Sequence, residues 1–160
     1  MDKKVSGVVI ACQKVEVDEQ TGFISAHKIV PALQAIISPE ERASIGKKPR
    51  GIKAPLDIVV VLDKLAPARG EELVFDCSLE FMDPRGEISM DRMRSHVVFP
   101  AATDRHYVFF KFDQGLVTSV PGRHLFRAVS QQPEITGSEL LAEGPFMINM
   151  FDTDGTEIAA

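Results

Sequence analysis

The feature that most constrains this chain is a strict alternation of side chains between residues 71 and 83. Large apolar side chains occupy every second position there: Leu73, Phe75, Cys77, Leu79 and Phe81. Because successive side chains of a strand point to opposite faces of a sheet, this period of two predicts a strand with one buried face. Turn residues follow at 83–86, and the chain then returns towards residue 99. The segment therefore predicts an antiparallel hairpin.

Comparable strand patterns recur along the rest of the chain. They cover residues 5–17, 23–30, 55–62, 105–112, 123–129 and 144–151. Short turns separate them, and a total of about eight strands at such intervals is typical of a sandwich or a barrel. The chain has 160 residues and no tract that resembles a linker, so we predict one domain over residues 1–160.

Residues 31–53 depart from the strand pattern and are predicted as an insertion loop. Ser38, Pro39 and Glu41 predict the start of a helix, because they supply an N-cap, a proline at the first position and a capping box. A glycine is placed to end this helix, which we predict at 39–45. A basic loop follows, with four cationic side chains: Lys47, Lys48, Arg50 and Lys53. A connection this long in a compact domain is often functional.

The net charge of the chain indicates which classes of partner to expect. The chain carries 18 Lys and Arg against 23 Asp and Glu, which gives a net charge of −5. Such a chain lacks the basic footprint of a general nucleic-acid binder, so we expect no nucleic-acid partner. No apolar run approaches the ~20 residues that span a bilayer, and we expect no membrane partner.

The cysteines and the N-terminus bear on the compartment. Cys12 and Cys77 are the only cysteines, and both fall within strand patterns, so we expect two buried free thiols. Polar residues interrupt the apolar stretch after residue 4, and no small-residue cleavage site follows it. We therefore predict that this stretch is the first strand of a cytoplasmic protein.

Several short elements, taken in order, resemble a known pattern. They are Cys12, the 18–22 turn, the Asp83-Pro84-Arg85-Gly86 turn and the Pro121-Gly122-Arg123-His124 start of a late strand. On these elements the chain resembles an uncharacterised bacterial family of small immunoglobulin-like β-sandwich proteins, a domain of unknown function. The resemblance implies an all-β, antiparallel immunoglobulin-like sandwich of about seven or eight strands, and no particular activity. Position 124 is His where the family pattern has Tyr, so the resemblance does not imply a tyrosine corner at this position.

The strand at 105–112 supplies the first candidate binding residues, because it is apolar on both faces. Tyr107 and Phe109 share one face, and the opposite face is also apolar. One face of an antiparallel sheet usually meets water, so Tyr107 and Phe109 need a cover. Two candidates for this cover remain: the apolar segment 32–37 of this chain, or a partner. The basic loop with Lys47, Lys48, Arg50 and Lys53 is the second candidate, suited to an acidic partner.

Residue types that perform catalysis or bind metals show no recognisable spacing. The chain has four histidines: His27, His96, His106 and His124. They form no metal-ligand motif, although His96 and His106 would approach each other if their strands paired around 100–104. No serine lies in a Gly-x-Ser-x-Gly elbow, and no glycine-rich phosphate loop is present. We predict no catalytic residue, no metal site and no cofactor.

These observations favour a non-enzymatic, cytoplasmic interaction module, although they leave its enzymatic status open. It would bind a protein partner or form a homo-oligomer through the apolar strand face, while the basic loop steers an acidic partner. Two alternatives remain. One is a module for a small anionic ligand, or a metal-assisted hydrolase, that uses the histidines and the basic loop. The other is a structural component of a phage or another assembly.

Overall fold

The computed structural model of the chain describes residues 2–54 and 56–159 and consists mainly of strands. The strands are β1 Val5–Val17, β2 Ile24–Ile29, β3 Ala32–Ile37, β4 Arg50–Ile52, β5 Leu56–Lys64, β6 Leu73–Met82, β7 Met93–Phe99, β8 Arg105–Phe112, β9 Leu116–Thr118, β10 Gly122–Ser130, β11 Leu140–Asp152 and β12 Glu157–Ile158. Between them lie two one-turn helices, α1 Pro39–Arg42 and α2 Pro133–Thr136, and a 3-10 turn at Ala66–Ala68. In the described part of the chain, none of the helices has the length and apolar character needed to cross a membrane.

The strands form two large sheets and one small one. Sheet A has the order β2-β1-β5-β8, and every neighbouring pair in it is antiparallel. Sheet B has the order β12-β11-β10-β6-β7, and β3 also pairs with β11. β4 and β9 form the small sheet. The prediction of an all-β, mostly antiparallel sandwich is therefore confirmed.

The hydrophobic core lies between sheets A and B. Sheet A contributes alternate side chains of β5 and β8: Leu56, Ile58, Val60, Leu62, Val108, Phe110 and Phe112. Sheet B contributes Phe81, Phe126 and Phe146, whose ring centroids lie 4.7 to 6.3 Å apart. The apolar positions of 73–82 that carried the strand prediction all belong to this core. Burial of such aromatic and aliphatic surface is the main source of folding stability.

The described residues contain more strands than the seven or eight predicted. The additional strands are short: β3, β4, β9 and β12. β3 runs parallel to β11, and its residues 32–37 pair with residues 147–152. Strands of two, three or six residues offer few positions in which a period of two can be recognised. The partner of β3, moreover, is distant in the sequence, so local patterning does not identify it.

The segment 31–53 is not an insertion loop throughout, because it contains β3, α1 and β4. α1 ends earlier than the predicted helix at 39–45, but its start is as predicted. The backbone N–H of Glu41 donates to the Ser38 hydroxyl at 3.3 Å, and the backbone N–H of Ser38 donates to the Glu41 carboxylate at 3.0 Å. The capping box is therefore confirmed, because it depends on neighbouring residues alone.

A buried histidine joins β9 to β10. The Nδ1 of His124 lies 2.9 Å from the carbonyl oxygen of Gly122, and its Nε2 lies 2.7 Å from the hydroxyl oxygen of Thr118. Because a carbonyl only accepts, Nδ1 carries a proton; in the neutral ring Nε2 then accepts from the Thr118 hydroxyl, which also lies 3.2 Å from the carbonyl oxygen of Val120. The ring stacks on Phe81 with centroids 4.8 Å apart. Burial lowers the pKa of His124, so the ring is held neutral.

Candidate interaction surface

Tyr107 and Phe109 lie on the side of sheet A that points away from the core. Through β5, Tyr107 is in register with Val61 and Val8, and Phe109 with Val59 and Ile10. We call these six apolar residues the outer face: Val8, Ile10, Val59, Val61, Tyr107 and Phe109. Its rim is open to solvent, since Val8 is 55% exposed and Phe109 is 40% exposed. The two central residues are buried, since Val59 is 0% and Val61 8% exposed, so the exposed apolar surface is confined to this rim.

The segment 32–37 does not cover the outer face. It forms β3, which pairs with β11 in sheet B on the other side of the sandwich. That candidate cover is therefore wrong, and the reason is its parallel pairing with a strand more than a hundred residues away, which no local pattern indicates. Tyr107 and Phe109 depend on other residues for whatever shielding they have.

The far end of β1 provides a partial shield. β1 pairs with β5 only as far as Cys12, which is opposite Asp57. Beyond that point the backbone N–H of Val15 donates to the Asp57 carboxylate at 3.0 Å, on the side of the outer face. A cleft of about 200 Å³ remains between this hairpin and β8, lined by Val15, Val17, Asp57, Phe109, Phe110 and Lys111. The sandwich thus presents an apolar cleft directly beside Phe109.

Val15, Val17 and Asp57 were not among the predicted binding residues. The available signal is the length of the first strand: 13 residues in β1 against 9 in β5. The longer strand must extend past the end of β5, so its last residues have no partner on that side although they stay paired with β2. Two valines at alternating positions in such an overhang indicate a surface that packs against something other than β5.

β8 is an end strand of sheet A, and one of its edges is unpaired among the described strands. The backbone N–H of Lys64 donates to the carbonyl of Asp104 at 2.8 Å, which makes these two a hydrogen-bonded pair. Such pairs alternate along an antiparallel ladder, so the even-numbered residues of β8 bond to β5. The odd-numbered residues direct their backbone groups outward: Arg105, Tyr107, Phe109 and Lys111. An open edge of this kind is a template for another strand.

Charged side chains bracket the apolar part of this edge. The Arg105 guanidinium contacts the Asp63 carboxylate through two hydrogen bonds of 2.6 and 3.1 Å. Lys111 is opposite Asp57 on β5, and Asp113 is exposed just beyond the strand. The edge therefore runs from a cation at Arg105, through Tyr107 and Phe109, to a cation and an anion at its other end.

The predicted basic loop is divided between different environments. Lys47, Lys48 and Lys53 are exposed. Arg50 lies on β4, where its guanidinium contacts the Glu41 carboxylate at 2.7 Å and the carbonyl oxygen of Ile36 at 3.0 Å. Arg50 therefore fastens β4 to β3 and α1. Within residues 2–54 and 56–159, no hydrogen bond or ion pair connects this loop to Tyr107 or Phe109.

The 83–86 turn holds the far side of this loop in place. Arg85 donates to the Asp83 carboxylate, to the carbonyl oxygen of Gly46 at 2.9 Å and to the hydroxyl of Ser119 at 2.8 Å. Burial of Asp83 favours its neutral form. Hydrogen bonds from Arg85 and from the backbone N–H of Glu87 outweigh this effect, so the pKa of Asp83 is lowered. The turn residues that the sequence singles out therefore form a structural network.

The histidines are not brought together. His96 contacts Asp76 at 2.9 Å on sheet B, His27 contacts Glu16 at 3.0 Å on β2, and His106 packs on the Phe99 ring. The conditional approach of His96 and His106 does not occur, because β7 and β8 lie in different sheets. In the described part of the chain, no group of three or more His, Cys, Asp or Glu residues could hold a metal ion.

Both cysteines are buried and free, as expected. Burial raises the pKa of the Cys77 thiol to about 12. Burial also raises the pKa of Cys12, and the nearby charge of Asp57 adds to that shift. Neither side chain has the lowered pKa of a reactive thiolate.

The chain has no match among protein-family models and none among curated proteins. Among solved structures, 38 chains match it. One is an immunoglobulin-like protein from Pseudomonas aeruginosa, which is 12% identical with a TM-score of 0.38; the alignment covers 92% of this chain and 94% of that one. The likeness concerns the fold alone and assigns no function to this chain. Membership of the uncharacterised bacterial family stays a prediction.

A second matching structure corrects an expectation about partners. It is the alkylpurine DNA glycosylase of Pseudomonas fluorescens bound to DNA that contains an abasic site analog, 13% identical with a TM-score of 0.44. The alignment covers 92% of this chain but only 31% of the glycosylase, so the chain spans about a third of that enzyme's length. The expectation of no nucleic-acid partner, drawn from net charge, is contradicted by this match and is not retained; the DNA contact itself is that of the glycosylase.

Proposed function

We propose that this chain is a non-enzymatic interaction module, two copies of which associate through the open edge of β8 and the adjoining outer face. The observation that carries the proposal is the coincidence of three features at Phe109. Its backbone groups face the open edge, its side chain is exposed on the outer face, and the cleft beside the β1–β2 hairpin reaches it. Strand addition uses backbone hydrogen bonds for affinity and adjoining side-chain pockets for specificity.

The other edge of sheet A is less suited to strand addition. β2 contains Lys28 at φ 54°, a conformation that interrupts an extended strand. β8 has eight residues without glycine, proline or a positive φ. Long regular edges pair with further strands, whereas irregular edges resist it. A second copy of the chain is therefore expected at β8.

The test of this proposal replaces the two apolar side chains at the edge. We expect the double variant Tyr107→Thr, Phe109→Thr to weaken self-association by at least about 100-fold, since two central aromatic contacts are lost. Threonine keeps the β-propensity of both positions, so the monomer retains its fold. Light scattering behind size exclusion, over a range of protein and salt concentrations, should show twice the 17.6 kDa chain mass for the native protein.

Val8→Thr is the matched control for this test. Val8 is exposed on the same outer face, but β5 separates it from β8. We expect this variant to associate within about twofold of the native protein. The proposal is wrong if the native protein remains monomeric at every concentration, or if the double variant dimerises as the native protein does.

The expected compartment and the expected role of the basic loop belong to this proposal as well. Two buried free thiols support a reducing compartment such as the cytoplasm. Steering of a partner by Lys47, Lys48 and Lys53 stays a prediction; Arg50 is less suited to it because it is already paired with Glu41.

A further inference from the structure

The hydrogen-bonding pattern of β8 restricts how a second copy can pair with it. Only odd-numbered residues direct their backbone groups to the open edge, so each hydrogen-bonded pair across the contact joins two odd-numbered residues. A two-fold axis makes the contact isologous, with β8 antiparallel to its own copy. Two such registers engage nearly the whole strand. One is centred on Val108 and the other on Phe109.

Charge separates these two registers. A register centred on Val108 sets Arg105 of one copy opposite Lys111 of the other, twice by symmetry. A register centred on Phe109 sets Arg105 opposite Asp113 and leaves Lys111 opposite Tyr107. Like charges directly opposite each other destabilise a strand pair, and opposite charges stabilise it. Arg105 would then lie between two carboxylates, since it already contacts Asp63 at 2.6 Å.

Side-chain complementarity favours the same register. Phe109 of one copy meets Phe109 of the second copy at the two-fold axis, which forms an aromatic cross-strand pair. Tyr107 of the second copy lies opposite Lys111, which lines the cleft with Val15 and Val17. A ring there can pack on the apolar wall of the cleft and on the lysine.

We infer that the second copy binds by adding its β8 antiparallel to β8 in the register centred on Phe109. The two four-stranded sheets then become one continuous sheet, in which Phe109 pairs with Phe109 and Tyr107 with Lys111, and Arg105 lies opposite Asp113, the first residue beyond β8. The inference rests on the proposed function and specifies its geometry.

Disulfide cross-linking between single-cysteine variants tests the register. Arg105→Cys, Asp113→Cys and Lys111→Cys are prepared separately, and their dimerisation is first confirmed by light scattering. Directly opposite residues in a hydrogen-bonded pair have Cα atoms about 5.5 Å apart, within the range of a disulfide. We expect the oxidised mixture of Arg105→Cys with Asp113→Cys to form a covalent dimer. Each variant alone, and the native protein with its two buried cysteines, should form none.

The mixture of Arg105→Cys with Lys111→Cys is the matched control. In the register centred on Phe109 these positions are diagonal, at about 7–8 Å, so cross-linking should be at least about tenfold slower. Faster cross-linking of this mixture would overturn the register and leave self-association through β8 intact. Dimers that cross-link in neither mixture would show that another surface is used. A native protein that is monomeric throughout would overturn this inference together with the proposed function.

Discussion

Replacement of Gly115 by alanine is expected to lower the free energy of unfolding by about 2–5 kcal/mol. Gly115 has φ +78°, and a Cβ added there would collide with the backbone carbonyl of Ile52 and come within 3.0 Å of the Cα of Lys53. The left-handed conformation costs an L residue about 1–2 kcal/mol, and relief of a backbone clash adds about 1–3 kcal/mol. Urea unfolding of the variant and the native protein measures the difference.

Gly155→Ala is the matched control for this prediction. Gly155 has a similar φ of +89°, but an added Cβ would have no neighbour within 4 Å. Only the conformational cost of about 1–2 kcal/mol is then expected. Equal losses in the two variants would contradict the close approach of Gly115 to β4. The comparison matters for the interaction surface, because Gly115 ends the turn that directly follows β8 and begins at Asp113.

Replacement of His124 by alanine is the second change with a large expected effect, about 3–5 kcal/mol. It removes a fully buried ring from its stack on Phe81 and leaves the Thr118 hydroxyl with its contacts to Val120 alone. His124→Phe separates the contribution of ring packing from that of hydrogen bonding, because it keeps an aromatic ring and removes the hydrogen bonds. We expect this variant to lose about 1–3 kcal/mol at neutral pH, measured by urea unfolding.

The native protein and the His124→Phe variant should differ in how their free energy of unfolding depends on pH. Burial lowers the pKa of His124 in the folded state, so the unfolded chain binds the proton more readily. The contribution of the neutral ring is therefore fully present above the unfolded pKa of about 6.5 and is lost as the pH falls below it. His106 has a pKa lowered by burial too, and it is unchanged in both proteins. A His124→Phe profile as steep as the native one between pH 7 and 5 would contradict the buried neutral ring.

His124 also shows where local sequence and tertiary structure divide. The sequence places a histidine two residues after Gly122, where the resembling family has tyrosine. The structure shows that this ring hydrogen-bonds to the Gly122 carbonyl and to Thr118 of the preceding strand. The link to Gly122 is local and was open to inference. The bond to Thr118 and the stack on Phe81 depend on how β9, β10 and β6 come together.

Local sequence determined the features that depend on residues a few positions apart. The alternation over 73–82 specified β6 and its buried side, and the Ser38–Glu41 capping box specified the start of α1. Pairing between distant segments decided the rest. The parallel contact of β3 with β11, the folding of β1 beyond Cys12 towards Asp57, and the place of β8 at a sheet edge each join residues dozens of positions apart. Local side-chain periodicity carries no information on such contacts, because many pairings bury the same apolar faces equally well.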